Sequence, residues 1–129
     1  MPRQKSPTLT EAESRLMSIL WNKGKGTVSD VVNALPADQP KAYKTVLTIL
    51  RILEQKEYLK HTKRSRAFVY HPVVEREEAR RHAVKDMVSR FFDDSPELLV
   101  LKILEDEQIE LSELSRLKEA IQKRQSEES

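Results

Sequence analysis

A chain of 129 residues can bury one modest core or two small ones, and the absence of cysteine excludes disulfides, thiolate metal sites and cysteine nucleophiles. The net charge of +2 hides a division. Residues 1–72 hold 13 Lys or Arg against 6 Asp or Glu, formally +7, while residues 73–129 hold 10 against 15, formally −5. A basic module for a polyanion, ending at residue 72, and an acidic module with another task are therefore expected. There is no apolar leader and no run near membrane-span length, so a soluble, cytoplasmic chain without membrane insertion is expected.

Met1 to Pro7, polar, basic and holding two prolines, reads as a mobile arm. Leu9 to Lys23 reads as a helix. Thr10 and Glu13 have capping-box spacing, Leu9 stands where a hydrophobic staple would, and Ala12, Leu16, Ile19 and Leu20 share a face. Trp21 is expected to plug the core beneath a later hairpin. Gly24 and Gly26, the only glycines, end the helix in a turn. Thr27, with Asp30 three residues on, caps a second helix whose Val28, Val31, Val32 and Leu35 face a core, and Pro36 stops it.

Lys41 to Lys56 carries the clearest helical period. Val46, Leu50 and Leu53 fall at i, i+4 and i+7, and Leu47 and Ile49 widen that face. The opposite side is a stripe of Lys44, Thr48, Arg51 and Gln55, flanked at its start by Lys41 and Thr45, with no carboxylate until Glu54. Cations and hydroxyls on the open side of a half-buried helix suit a DNA major groove, and a solvated helix face is the bland alternative. Tyr58–Thr62 and Ala67–His71 read as two strands joined by the cationic link Lys63-Arg64-Ser65-Arg66. A hairpin with a basic tip after a basic-faced helix is the winged helix-turn-helix arrangement, the wing reaching phosphates beside the groove.

Glu75 to Phe92 reads as a long helix with Ala79, Ala83, Met87 and Phe91 on one face and Val84 and Val88 beside it. Ser95, Pro96 and Glu97 are an N-cap, an N1 proline and a first-turn acid. The run that follows, Leu98 to Leu104, is apolar almost all round and includes Leu101 and Ile103. A last helix, about Glu110 to Lys123, offers Leu114, Leu117 and Ile121, and the final Ser-Glu-Glu-Ser reads as a frayed tail. Three helices with more apolar face than a small domain can cover point to dimerisation through Met87, Phe91, Leu98, Leu101, Ile103, Leu104, Leu114, Leu117 and Ile121. A closed three-helix bundle is the alternative. The fold class expected is mainly α with a small β-hairpin wing: an N-terminal winged helix-turn-helix and a C-terminal helical dimerisation domain.

His61, His71 and His82 form no metal-ligand motif, the acidic runs read as solvated helix faces, and neither a phosphate loop nor a nucleophile motif occurs. Neither an enzyme, a cofactor nor a metal site is expected.

Leu9-Thr10, Glu13, Leu16-Met17 and Ile19-Leu20-Trp21 resemble the opening helix of the penicillinase-repressor (BlaI/MecI) family. Thr27-Val28, Asp30-Val31-Val32 and Ala34-Leu35 are similar to its second helix, Ala42 to Leu50 to its recognition helix, and Arg66 to Pro72 to its wing strand. The resemblance implies a homodimeric repressor on a palindromic double-stranded DNA operator. By position, Lys44, Thr45 and Thr48 would face bases, with Ala42, Tyr43 and Arg66 near the backbone. Lys41, Arg51, Lys63 and Arg64 complete the candidate DNA-binding set on charge and spacing. Family members usually carry Gly where this chain has Glu57 and Ser65, and the usual helix arginine falls at Ile52, so the operator sequence does not transfer. Some members are relieved by proteolytic cleavage of an Asn-Phe bond in the dimerisation region. The matching dipeptide is Lys102-Ile103, and the implied partner is a membrane-bound metalloprotease sensor. The copper-responsive branch senses metal through C-terminal cysteines, which this chain lacks. A winged-helix protein-interaction adaptor that never touches DNA is the reading from another class, and repressor and activator are not separated by sequence.

Overall fold

The computed structural model describes residues 8–128, so the arm expected at Met1 to Pro7 lies outside the described residues. The order of elements is α1 (Glu11–Lys23), β1 (Gly26–Thr27), α2 (Val28–Ala34), α3 (Tyr43–Gln55), β2 (Leu59–Arg64), β3 (Ala67–Pro72), α4 (Arg76–Phe91), α5 (Pro96–Asp106) and α6 (Leu111–Glu128). Two compact units divide within α4, after Met87, rather than at residue 72. The first unit runs on because Val74 and Ala79 join its core and the Trp21 Nε1 donates to the Val74 carbonyl at 2.9 Å.

Both capping boxes form: Thr10 with Glu13 starts α1, and Thr27 with Asp30 starts α2. Gly24, at φ 89°, ends α1 with its N–H on the Leu20 carbonyl. Leu35 takes an extended conformation after α2, as a residue before proline must. The core brings together Leu16, Met17 and Leu20 of α1, Val28 and Val31 of α2, and Val46, Leu50 and Leu53 of α3, closed by Tyr58, Leu59 and Tyr70. Two expectations for α1 change. Its buried face is Glu13, Leu16, Met17 and Leu20, with Ala12 and Ile19 at the margin. Trp21 does not sit beneath the wing. It is half-buried against the link from β3 to α4, where its ring N–H finds a carbonyl and the Arg76 guanidinium lies 5.5 Å from the ring centroid.

The sheet is antiparallel, in the order β1-β3-β2. Gly26 pairs with Tyr70 and Thr27 with Val69. A side chain at Gly26 would meet Leu20 Cδ2 at 3.3 Å, which is why a glycine stands where β1 passes close to α1. The wing strands are longer than expected, running to Arg64 and from Ala67, so the link is only Ser65 and Arg66.

Glu57 and Ser65 both take the left-handed region, at φ 70° and 57°. At Glu57 the reason is a Schellman motif closing α3: its N–H bonds to the Glu54 carbonyl at 3.0 Å, and Tyr58 N–H bonds to the Leu53 carbonyl at 3.0 Å. A side chain at this φ is strained by roughly 1–2 kcal/mol relative to glycine. Glu57→Gly is therefore expected to raise the urea midpoint by about 1 kcal/mol equivalent with an unchanged m-value; an unmoved midpoint would show that Glu57 is not strained.

Glu13 is the one buried charged side chain of the described core, 4% exposed. It accepts the Thr10 N–H at 2.8 Å and the Lys56 Nζ at 2.8 Å, tying the start of α1 to the end of α3. Burial alone would push its carboxyl up, but Lys56 and the Thr10 bonds outweigh burial and hold it below the usual carboxylate range. A depressed carboxyl contributes stability that is present above its unfolded value and lost as pH falls through the folded one. Glu13→Gln should thus destabilise at pH 7 by about 2 kcal/mol, and denaturant melts should show the gap to the parent closing below about pH 4.

In the second unit the helices form as expected at their starts, with the Ser95 hydroxyl accepting from Leu98 N–H at 3.4 Å and Pro96 at N1. The tail differs: α6 continues through Glu128, since residues 122–128 are mostly good helix formers with neither Gly nor Pro to interrupt them. Val88 is the only buried position among the described side chains from residue 88 onward. The last turn of α4 together with α5 and α6, without a core of their own among the described side chains, leave Phe91, Leu98, Val100, Leu101, Ile103, Leu104, Leu111, Leu117 and Ile121 exposed and Leu114 partly so. Met87, at the end of the first unit, is exposed as well.

Candidate nucleic-acid interface

α3 buries Val46, Leu50 and Leu53 and turns Lys44, Thr45, Thr48, Arg51, Ile52 and Gln55 outward. The helix starts at Tyr43, two residues later than the period suggests, because its N-cap, Ala42, is extended, at φ −69° and ψ 154°. Its N-cap, Ala42, supplies no side-chain hydrogen bond. The first-turn N–H groups and the positive end of the helix dipole therefore stay open beside exposed Lys44 and half-exposed Lys41. An open N-terminus next to two ammonium groups is a place for a phosphate. Sequence periodicity does not reveal it; the signal was the lack of Ser, Thr, Asp or Asn before Tyr43.

Thr48 Oγ1 donates to the Lys44 carbonyl at 2.9 Å. Its hydrogen is spent on the helix, which leaves its lone pairs and methyl for anything outside. Tyr43 is 53% exposed at the start of the same face.

The wing carries Lys63, Arg64 and Arg66, all exposed. Among the described residues, none of Lys44, Arg51, Lys63, Arg64 and Arg66 is held in an ion pair, whereas Lys56 is locked to Glu13. Unneutralised cations on one helix and one hairpin tip are what polyanion binding requires. Between helix and wing lies a cluster that sequence reading missed. Glu54 of α3 pairs with His61 of β2, Nδ1 to Oε2 being 2.6 Å, and His61 leans on Phe68 and Tyr70. Burial pushes the Tyr70 phenol up; Glu54 adds to this and Arg51 opposes it. The other histidines are paired modestly: Thr62 Oγ1 meets His71 Nε2 at 2.9 Å, and His82 lies 3.9 Å from Glu78. No group of three metal-ligating side chains occurs among the described residues.

The penicillinase repressor family profile matches residues 9–123. The chain belongs to the penicillinase repressor family. A penicillinase repressor of Bacillus licheniformis is 27% identical over 114 residues, covering 88% of this chain and 89% of that one. The methicillin resistance regulatory protein MecI of Staphylococcus aureus strain N315 is 22% identical, covering 93% of this chain and 98% of that one. The solution structure of the DNA-binding domain of the repressor BlaI superposes with a TM-score of 0.52 at 29% identity, over 59% of this chain and 93% of that domain. The penicillinase repressor fold is thus shared where the α3 stripe and the wing lie. Among the described residues no helix is long and apolar enough to cross a membrane.

Proposed function

We propose that this penicillinase repressor family member is a DNA-binding transcriptional repressor that acts as a homodimer in the cytoplasm. Each subunit sets Lys44, Thr45, Thr48 and Arg51 in a major groove. Lys41, Ala42 and Tyr43 lie at the phosphates by the open helix start, and Lys63, Arg64 and Arg66 at those beside the groove. The observation that carries the reading is the outward, unpaired set of cations on α3 and the wing. An adaptor that never touches nucleic acid has no use for that set.

Residues from Met87 onward supply the second half of the reading. The exposed leucines and isoleucines of α5 and α6, with Met87 and Phe91, are satisfied by a second copy of the chain. Two-fold symmetry then places half-sites of an inverted repeat about one helical turn apart or a multiple of it, roughly 34 Å each. Repression follows from occupying the promoter. Relief by a membrane-bound metalloprotease sensor would cut near Lys102 and Ile103. That bond lies inside α5, with Lys102 paired to Asp106 at 3.2 Å, so α5 has to unwind locally before cleavage.

The test is duplex selection from a random pool by the full-length chain, followed by affinity against salt. Enrichment of an inverted repeat, with binding that weakens by roughly 10³-fold or more between 50 and 200 mM salt, is expected. Enrichment of nothing over the starting pool would end the reading.

A further inference from the structure

Between α1 and α4, within the first compact unit, lies a cavity of about 240 Å³, partly open to solvent. None of its lining residues belongs to α3, β2 or β3, so it is separate from the stripe and the wing. The space follows from residue size. Ala79 and Ala83 recur at i, i+4 along α4, and a methyl group is too short to fill the gap to α1. Leu9 and the Trp21 indole supply the rest of an apolar wall. Thr8 Oγ1 donates to Asp86 Oδ2 at 2.6 Å and so ties the chain before α1 to α4.

The polar groups of the lining recur at the same spacing. Ser14 and Ser18 come from α1, Arg76 and Arg80 from α4, and no Asp or Glu lines the cavity. Ser14 Oγ donates to the Glu11 carbonyl at 2.9 Å, and Arg80 Nη1 is paired with Glu77 at 2.5 Å. Arg76 is held differently. It is partly buried, and its guanidinium is fixed by two neutral groups: Nη2 donates to Asn22 Oδ1 at 2.7 Å, and the Trp21 ring centroid lies 5.5 Å away. Among the described residues Arg76 has no carboxylate partner. A partly desolvated cation without a counter-charge, held in place beside an apolar cavity, is a receptor for an anion that carries its own apolar body.

We infer that this cavity binds a single-ring aromatic carboxylate, the carboxylate on the Arg76 guanidinium and the ring against Trp21, Leu9, Ala79 and Ala83. Asn22 takes one of the five guanidinium donors, and those that remain can meet both oxygens of a carboxylate at once. An indole wall favours a ring over a flexible chain, since ring pairs gain beyond the area they bury. The volume sets the size. It falls below the roughly 300–1,000 Å³ of sites for drug-sized molecules, so one ring and its carboxylate suit it. The site goes beyond the DNA-binding reading and does not depend on it.

Trp21 is the only tryptophan of the chain, so its fluorescence reports on the cavity wall directly. The full-length chain is titrated with benzoate and, in parallel, with benzamide, an uncharged ring of nearly the same shape. Calorimetry supplies a second measurement. Benzoate should change the Trp21 emission saturably, with half-saturation on the order of 0.1 mM for so small a ligand, and should raise the Tm. Benzamide should bind about tenfold more weakly or worse, because it lacks the charge that Arg76 awaits. Arg76→Gln, which keeps a donor without the charge or the fork, should weaken benzoate by about tenfold or more and leave benzamide unchanged. Ala83→Leu fills the cavity and should abolish both. Thermal melts without ligand show which variants are folded. The comparison of benzoate with benzamide needs the parent alone, so it decides even where a variant does not fold. No saturable response to benzoate up to ~10 mM overturns the inference. So do equal affinities for benzoate and benzamide, and so does a folded Arg76→Gln or Ala83→Leu chain that binds benzoate as the parent does.

Discussion

Leu101→Glu is expected to leave a monomer that binds an inverted-repeat operator on the order of 10²–10⁴-fold more weakly than the parent, while its affinity for an isolated half-site is unchanged. Leu101 is 52% exposed on α5, a helix in which no residue is buried. Leu98, Val100, Ile103 and Leu104 share that exposure around it. Covering a leucine or isoleucine side chain contributes about 1.5–3 kcal/mol, so a handful of them is enough to hold two copies together. A carboxylate in the middle of that surface would have to be buried without a partner, which is far more costly than losing one methyl cluster. In the proposed dimer the second half-site would be reached intramolecularly, which would be the source of its avidity. Sedimentation gives the mass, and anisotropy on full and half operators gives the two affinities. A monomeric variant that binds the full repeat like the parent would uncouple dimerisation from binding. A variant that stays dimeric would move the interface off α5.

How much of this was legible in the sequence depended on whether the signal was local. The capping boxes at Thr10 and Thr27 and the Ser95-Pro96 start are one-turn chemistry, and each fixes a helix start where the spacing puts it. The α3 period placed Val46, Leu50 and Leu53 inside because the helix has one buried side. What was not legible was made by partners distant in sequence. β1 is two residues with no strand pattern of its own and exists because β3 passes beside it. Glu13 looks like a capping residue, and only the fold reveals that Lys56 reaches it from 43 residues away. Trp21 was misplaced because its burial is decided by a carbonyl at Val74 rather than by its own helix. Glu57 and Ser65, where glycine is usual, raise doubt about the wing when read as letters. The backbone keeps the left-handed turn at both positions and bears the strain. The candidate site was split in the same way. The cations on α3 and the wing follow from spacing, whereas the Glu54–His61 pair joins a helix to a strand and has no sequence signature.

Thr48→Ala and Arg64→Ala should separate reading from anchoring. Thr48 is exposed in the middle of the stripe, with its hydroxyl hydrogen committed to the Lys44 carbonyl at 2.9 Å, so in the proposed complex a base would find it only as an acceptor or through its methyl group. Its loss is expected to cost about 1–3 kcal/mol on the enriched operator and nearly nothing on scrambled duplex, which relaxes preference at one base pair per half-site. Thr48→Val then tells the two contacts apart: it keeps the methyl and loses the acceptor, so it retains discrimination only if the methyl reads a thymine. Lys44→Ala should resemble Thr48→Ala on matched sites, with an added loss on every sequence, because Lys44 also neutralises charge beside the open helix start. Arg64 is the last residue of β2, at the wing tip, and the contact proposed for it is to phosphate alone. Its removal should weaken matched and scrambled duplexes by the same factor and lower the salt slope by about 1 per subunit. Binding isotherms at three salt concentrations on both duplexes are sufficient. If Thr48→Ala and Arg64→Ala shift matched and scrambled affinities by one common factor, α3 anchors rather than reads, and sequence recognition must be carried by DNA shape at the wing instead.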